Sequence, residues 1–331
     1  MKVSEEYKRL YHYTTWDGLV GILKNQSLWA THHRFLNDYS ETILLKDRLI
    51  ELAKPVIREE SRKVIDGYPD QKQIFKHIEI KGGFDAMVDH DTKVLVTRMY
   101  EALPSDGPYV TSFCGESKDK YINANGVLSQ WRGYVQDGGF ALVFDTSRLE
   151  SLLEKEFERF DYSDGGLADV IYSDDEEGFK REFTSKLSNL RGFIGGMIRC
   201  IYERVLDPMV QNHENAFRDF TSCISRYKHR GFKEEREVRI YAYPAVHNES
   251  YLSLPITDKC QQKPEKERKF RTKNGERVPY IELFASLGQK LLIERIIVGP
   301  HQNKEARVCA LKVMLRGTDI EVSASDIPFV G

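Results

Sequence analysis

The sequence has few cysteines, and Cys114, Cys200, Cys223, Cys260 and Cys309 are scattered with no CxxC pair. An odd, dispersed set suits a reducing compartment and argues against a disulfide framework or a structural zinc site. No HExxH spacing occurs, and the adjacent His32 and His33 point apart, so no metal is expected. GxGxxG and Walker A loops are also missing, which disfavours Rossmann redox chemistry and ATP hydrolysis. Charge of one sign is lacking too: the formal net charge is -2, so any polyanion site must be a local patch. Long apolar runs are absent. The most apolar stretch, Phe193 to Leu206, is broken by Arg199 and Arg204, and MKVSEEYKRL lacks the pattern of a secretory signal. The expectation is a cytoplasmic protein with no membrane segment.

What is present is enough apolar residue, 40% of 331, to bury a core. The opening LYHYTT is β-branched and aromatic, and Leu19, Ile22 and Leu23 then recur at helical spacing. This predicts strand, turn and helix, with Thr15 as N-cap and a second short strand over Ser27 to Thr31. Ser40 to Ile65, with Pro55 inside, and Phe84 to Leu103 read as helices. Strands are expected at Pro108–Cys114, Gly139–Phe144, Val170–Tyr172, Glu235–Tyr243, Tyr280–Leu283, Arg295–Val298 and Ile320–Val322. Helices are expected at Leu128–Val135, Ser147–Phe160 and Asn303–Leu315, with Glu176–Lys228 mostly helical. Asp258 to Arg277, rich in lysine and arginine and poor in apolar residues, reads as a mobile loop. The whole, residues 1–331, is expected as one α+β domain whose sheet is assembled from distant segments, with helical insertions at about 40–103 and 176–228.

Two segments carry candidate chemistry. In FKEEREVRIYAY, a strand would put Glu235, Glu237 and Arg239 on one face and Val238 and Ile240 on the other. Two close acids beside an arginine form a tunable acid-base pair, although an ExExR string alone more often marks a salt-bridged surface strand. In LYHYTTWDGLVGILKNQSLWAT, His12 and Thr14 share a strand face, with polar groups suited to a sugar's hydroxyls. A lone histidine in an apolar strand is commonly a satisfied core residue.

LYHYT…GIL…LW resembles the LYHGT…IL…GL opening of ADP-ribosyltransferases, and Glu235-Arg236-Glu237 resembles their Glu-x-Glu. Together LYHYT, FLNDYSE, SQWRGYVQDGGFALVF and FKEEREVR are similar to the bacterial family catalogued as domain of unknown function 2971. The resemblance implies an ADP-ribosyltransferase-like split β-sheet, with NAD as substrate. In it His12 would hold a ribose of NAD with Tyr13 and Thr14 beside it. Glu237 would bind the nicotinamide ribose and stabilise the transition state, and Glu235 would polarise an acceptor. Tyr134 would stack on nicotinamide, with Ser112 as the alternative middle residue of the triad, and Arg239 and Asn37 would complete the set. Asn37, Asp38 and Glu41 equally read as an Asx turn capping the next helix.

The implied activity is mono-ADP-ribosyl transfer in a toxin or phage-defence setting, where an antitoxin protein would be a partner. Basic runs at Arg226–Lys233 and Lys263–Arg277 suggest RNA or DNA as acceptor. Competing readings are a metal-dependent nuclease, whose sites usually want a lysine where this strand has Arg236 and Arg239, and a non-catalytic module that binds NAD or nucleotides.

Overall fold

A computed structural model describes residues 2–36, 40–67, 72–101, 107–135, 138–181, 192, 195–196, 223–246, 263–273 and 275–328. In chain order the elements begin with α1 (Val3–Glu6), β1 (Arg9–Thr14), α2 (Trp16–Asn25), β2 (Leu28–His32), α3 (Ser40–Gly67), α4 (Lys72–Ile80) and α5 (Phe84–Glu101). They continue with β3 (Tyr109–Gly115), α6 (Lys120–Asn125), α7 (Leu128–Gly133), β4 (Phe140–Asp145), α8 (Thr146–Arg159), β5 (Tyr162–Asp169), β6 (Ile171–Tyr172) and β7 (Tyr227–Lys228). The last are β8 (Glu237–Pro244), β9 (Lys269–Lys273), β10 (Glu276–Leu283), β11 (Ile293–Val298), α9 (Lys304–Met314) and β12 (Glu321–Ala324).

These elements group into two compact units. The first comprises residues 1–36, 108–170 and 231–331, and the second 37–107 and 171–230. In the second, α3 and α5 pack around Leu45, Leu49, Ile57, Met87 and Val96, joined by Tyr227 of β7. β7 pairs in parallel with β6. Most of the stretch expected to be helical over 176–228 lies outside the described residues, as do Asn37 and Asp38.

The first unit is built on one ten-stranded sheet. β1 alternates as its composition dictates: Leu10 enters the main core, and Tyr11 enters a smaller cluster with Cys114, Trp131 and Ile297. α2 follows at once because the Thr15 hydroxyl accepts the Gly18 N–H, a cap worth about 1 kcal/mol. Its Leu19 and Ile22 join the main core with Phe113, Phe140, Val238, Ile240 and Ile281. β11, α9 and β12 close the sheet as a parallel crossover.

Two expectations need correction, and one strand falls where none was expected. β8 begins at Glu237, not Glu235. Glu235 ends a 3-10 helix, Arg230–Glu235, and Arg236 takes a left-handed backbone (φ 42°). The segment HRGFKEE has a glycine and no β-branched residue to favour an extended chain, and the turn lets Gly115 donate to the Arg236 carbonyl. The described part of the expected loop 258–277 is ordered: β9 and β10 form an antiparallel hairpin from Lys269 to Leu283. Lys266, ahead of it, is buried in an ion pair with Glu156 (2.5 Å). Finally, β5 (YSDGGLAD) forms an edge strand on β8, although its glycines and aspartates are poor strand formers.

Candidate functional site

The sheet forks at β3. β8 covers one edge of β3 from Tyr109 to Cys114. The other edge is shared: β2 pairs at Thr31↔Val110 and His32↔Tyr109, and β1 at Tyr11↔Cys114 and Leu10↔Gly115. Between them, Thr111, Ser112 and Phe113 have no registered strand partner on that edge. On its other edge β1 pairs with β4 along its whole length, from Arg9↔Asp145 to Thr14↔Phe140, and past Tyr11 β4 is its one registered partner.

Two side chains bridge the gap. His12 Nδ1 lies 3.0 Å from the Ser112 carbonyl, and the Thr111 hydroxyl donates to the Trp29 carbonyl at 3.0 Å. A carbonyl only accepts, so Nδ1 carries the proton and Nε2 is left as a lone-pair acceptor. Among the described residues Nε2 has no hydrogen-bond partner. Burial pulls the His12 pKa below the ordinary histidine value, with the Ser112 bond opposing, which keeps the ring neutral. Its ring also touches that of Phe113, with centroids 5.5 Å apart.

The polar residues of β8 line up with β3. Ser112 stands opposite Arg239 and Cys114 opposite Glu237, and Cys114 is also opposite Tyr11. Paired residues project to the same face, so Tyr11, Ser112, Cys114, Glu237 and Arg239 form one patch across three strands. Arg239 grips Glu237 bidentately, Nε to Oε1 at 2.7 Å and Nη2 to Oε2 at 3.1 Å, with both side chains about 95% shielded. Such a charge-assisted fork fixes the carboxylate's orientation. Val238 and Ile240, alternating, go to the main core as expected.

The candidates are therefore only partly brought together. Ser112, Glu237 and Arg239 share a face. His12 and Thr14 alternate to the opposite face, and His12 reaches the patch's neighbourhood through its bond to the edge of β3. The strands bearing His12 and Glu237 flank β3, two strand spacings, roughly 10 Å, apart. Glu235, although buried, is off the strand. The Tyr13 hydroxyl accepts from the Val127 N–H at 2.8 Å and its ring meets Trp131 edge-on, so it anchors the start of α7. Tyr134, 40% exposed, follows α7 on the segment that packs through Trp131 and Val135 on the patch side of the sheet. Thr14 Oγ1 sits so near Gly18 that a Cβ there would stand 2.1 Å away. Asn37 lies outside the described residues.

Tyr11 is the member of the patch that motif reading passes over. Burial raises its pKa and the charge of Arg295 opposes this. The signal was available: LYHYT alternates, so Tyr11 and Tyr13 must share the face His12 leaves. Among the described residues no group of three or more His, Cys, Asp or Glu side chains is placed to hold a metal ion, and no helix is long and apolar enough to cross a membrane.

Residues 130–240 match the model of a family described as a protein of unknown function, DUF2971. The match is about a third of the chain and takes in Trp131, Tyr134, β4 and Glu235 to Ile240, while His12 and Ser112 lie before it. No curated protein matches the chain, and no solved structure does.

Proposed function

We propose that the chain is an NAD-dependent mono-ADP-ribosyltransferase acting at the fork of its sheet. The observation that carries this reading is an acceptor imidazole at the gap on one edge of β3, with a carboxylate clamped by arginine on the strand along its other edge. Breaking the nicotinamide–ribose bond develops positive charge on the sugar. A fixed carboxylate near the 2'-hydroxyl stabilises that transition state more than the ground state. Glu237 supplies the carboxylate, and Arg239 holds it ready, so little reorganisation is needed as charge appears. His12 Nε2 accepts from a ribose hydroxyl, and Tyr134 offers an aromatic face to the pyridinium ring.

In this reading nicotinamide departs with the bonding electron pair, and a nucleophile on the acceptor bonds to the vacated ribose carbon. Exposed Lys273 and Arg277 in the β9–β10 hairpin support a nucleic-acid acceptor, since they offer a backbone-tracking charge. Labelled NAD, incubated with the protein and a nucleic-acid-containing extract, tests this. The expected result is label that is removed by nuclease treatment, resists protease, and is lost with Glu237→Gln. Label confined to protein would overturn the acceptor assignment. Magnesium-dependent strand cleavage without NAD would replace the reading with a nuclease.

A further inference from the structure

A second polar cluster lies on β2, β9 and β10, outside the site described above. Register sets Trp29 opposite Glu282, Thr31 opposite Tyr280 and Arg271 opposite Val278, so Trp29, Thr31, Arg271 and Tyr280 project to one face. Thr31 also stands opposite Val110 of β3, two residues from Ser112, which makes this the face of the Glu237–Arg239 patch. Leu28, Ala30, Ile281 and Leu283 alternate into the core on the other side.

Arg271 lies over the Trp29 ring at 5.2 Å and the Tyr280 ring at 5.9 Å, and its Nη2 donates to the Thr31 hydroxyl at 2.9 Å. Two donors remain: Arg271 Nε–H and Trp29 Nε1–H are both sealed from solvent and have no hydrogen-bond partner among the described residues. No acid among the described residues pairs with Arg271, and the carboxylate of Glu282 on the same face is taken by Lys269 at 2.8 Å. Burial accordingly pulls the guanidinium pKa below its usual value. An unpaired cation and two unmet donors are destabilising as they stand, and an oxyanion would satisfy all three. A guanidinium beside an indole N–H and a hydroxyl offers a charge and hydrogen-bond donors of the kind that hold phosphate oxygens.

We infer that Arg271, Trp29 and Thr31 form a binding site for a phosphoryl group, supplied by a nucleotide or by a nucleic-acid backbone. The inference stands apart from the glycosidic chemistry, because binding is read without any turnover of NAD. Calorimetric titration of the full chain with ADP, with adenosine and with an eight-residue oligothymidylate separates the sources. ADP or the oligonucleotide should bind at least tenfold more weakly to Arg271→Met and several-fold more weakly to Trp29→Phe, while any affinity for adenosine stays unchanged. Arg271→Met should also melt no lower than wild type, since it removes a cation that lacks a counter-ion. Binding of neither phosphate-bearing probe would overturn the inference, as would equal affinity in wild type and Arg271→Met. A fall in Tm with unaltered binding would make Arg271 a packing residue and would likewise overturn it.

Discussion

Glu237 and Arg239 pair bidentately in a water-excluded patch, and the energetics of removing one or both are asymmetric. Taking away one member of a buried pair leaves a buried charge, which costs about 3–5 kcal/mol, whereas taking away both removes the two opposite charges together. Arg239→Met should therefore lower stability in urea by about that amount, and Glu237→Met/Arg239→Met should recover most of it. A double variant as unstable as the single would show that the pair is not a closed unit. His33 gives the second expectation at this scale. Burial, helped by the charges of His32 and Arg34, brings its pKa down to about 3, while an unfolded histidine titrates near 6.5. The folded state then refuses a proton that the unfolded state accepts. This contribution is intact above pH 6.5 and is lost as pH falls toward 3, at no more than about 1.4 kcal/mol per pH unit. Unfolding at pH 7 and pH 5 should show His33→Asn losing less stability than wild type over that step. An identical loss would contradict the cause assigned here.

Among the elements, the fork depends on β1 diverging from β3 after Tyr11 while it stays paired with β4, and that β1–β4 contact is held by close packing. Gly139, just ahead of β4, lets the Thr14 carbonyl approach: a Cβ there would stand 2.4 Å from that oxygen and 2.7 Å from Val135 Cγ1. Gly139→Ala should destabilise by about 1–3 kcal/mol, read as a shifted urea midpoint, because a backbone carbonyl cannot step aside as a flexible side chain can. An unchanged midpoint would mean that the β1–β4 contact is looser than described. Strong alternation and a good cap made β1, α2, β3 and β4 legible in the sequence. β5 was not legible, because YSDGGLAD has turn composition and is extended only because β8 offers it an edge. The β9–β10 hairpin was hidden by its charge, yet Asn274-Gly275 marked it: Gly275 has φ +82°, the left-handed geometry such turns require. Likewise the ExE pattern correctly placed Glu237 and Arg239 on one face, but strand periodicity could not foresee the left-handed turn at Arg236 that removes Glu235.

Over the whole molecule, segments far apart in sequence supply the strands of the candidate site. Residues 9–14, 109–115 and 237–244 become neighbouring strands, and nothing local to any of them specifies the others as partners. The near-neutral chain gives no global field to gather a polyanion, so the proposed activity rests on local geometry. The most direct measurement is nicotinamide release from NAD by the purified full chain, compared with His12→Ala and Glu237→Gln. Wild type should release nicotinamide, Glu237→Gln should be slower by about 100-fold or more, as for loss of a main electrostatic stabiliser, and His12→Ala should raise KM more than it lowers kcat. Release by Glu237→Gln at the wild-type rate, or none by the wild type with or without nucleic acid, would contradict the account.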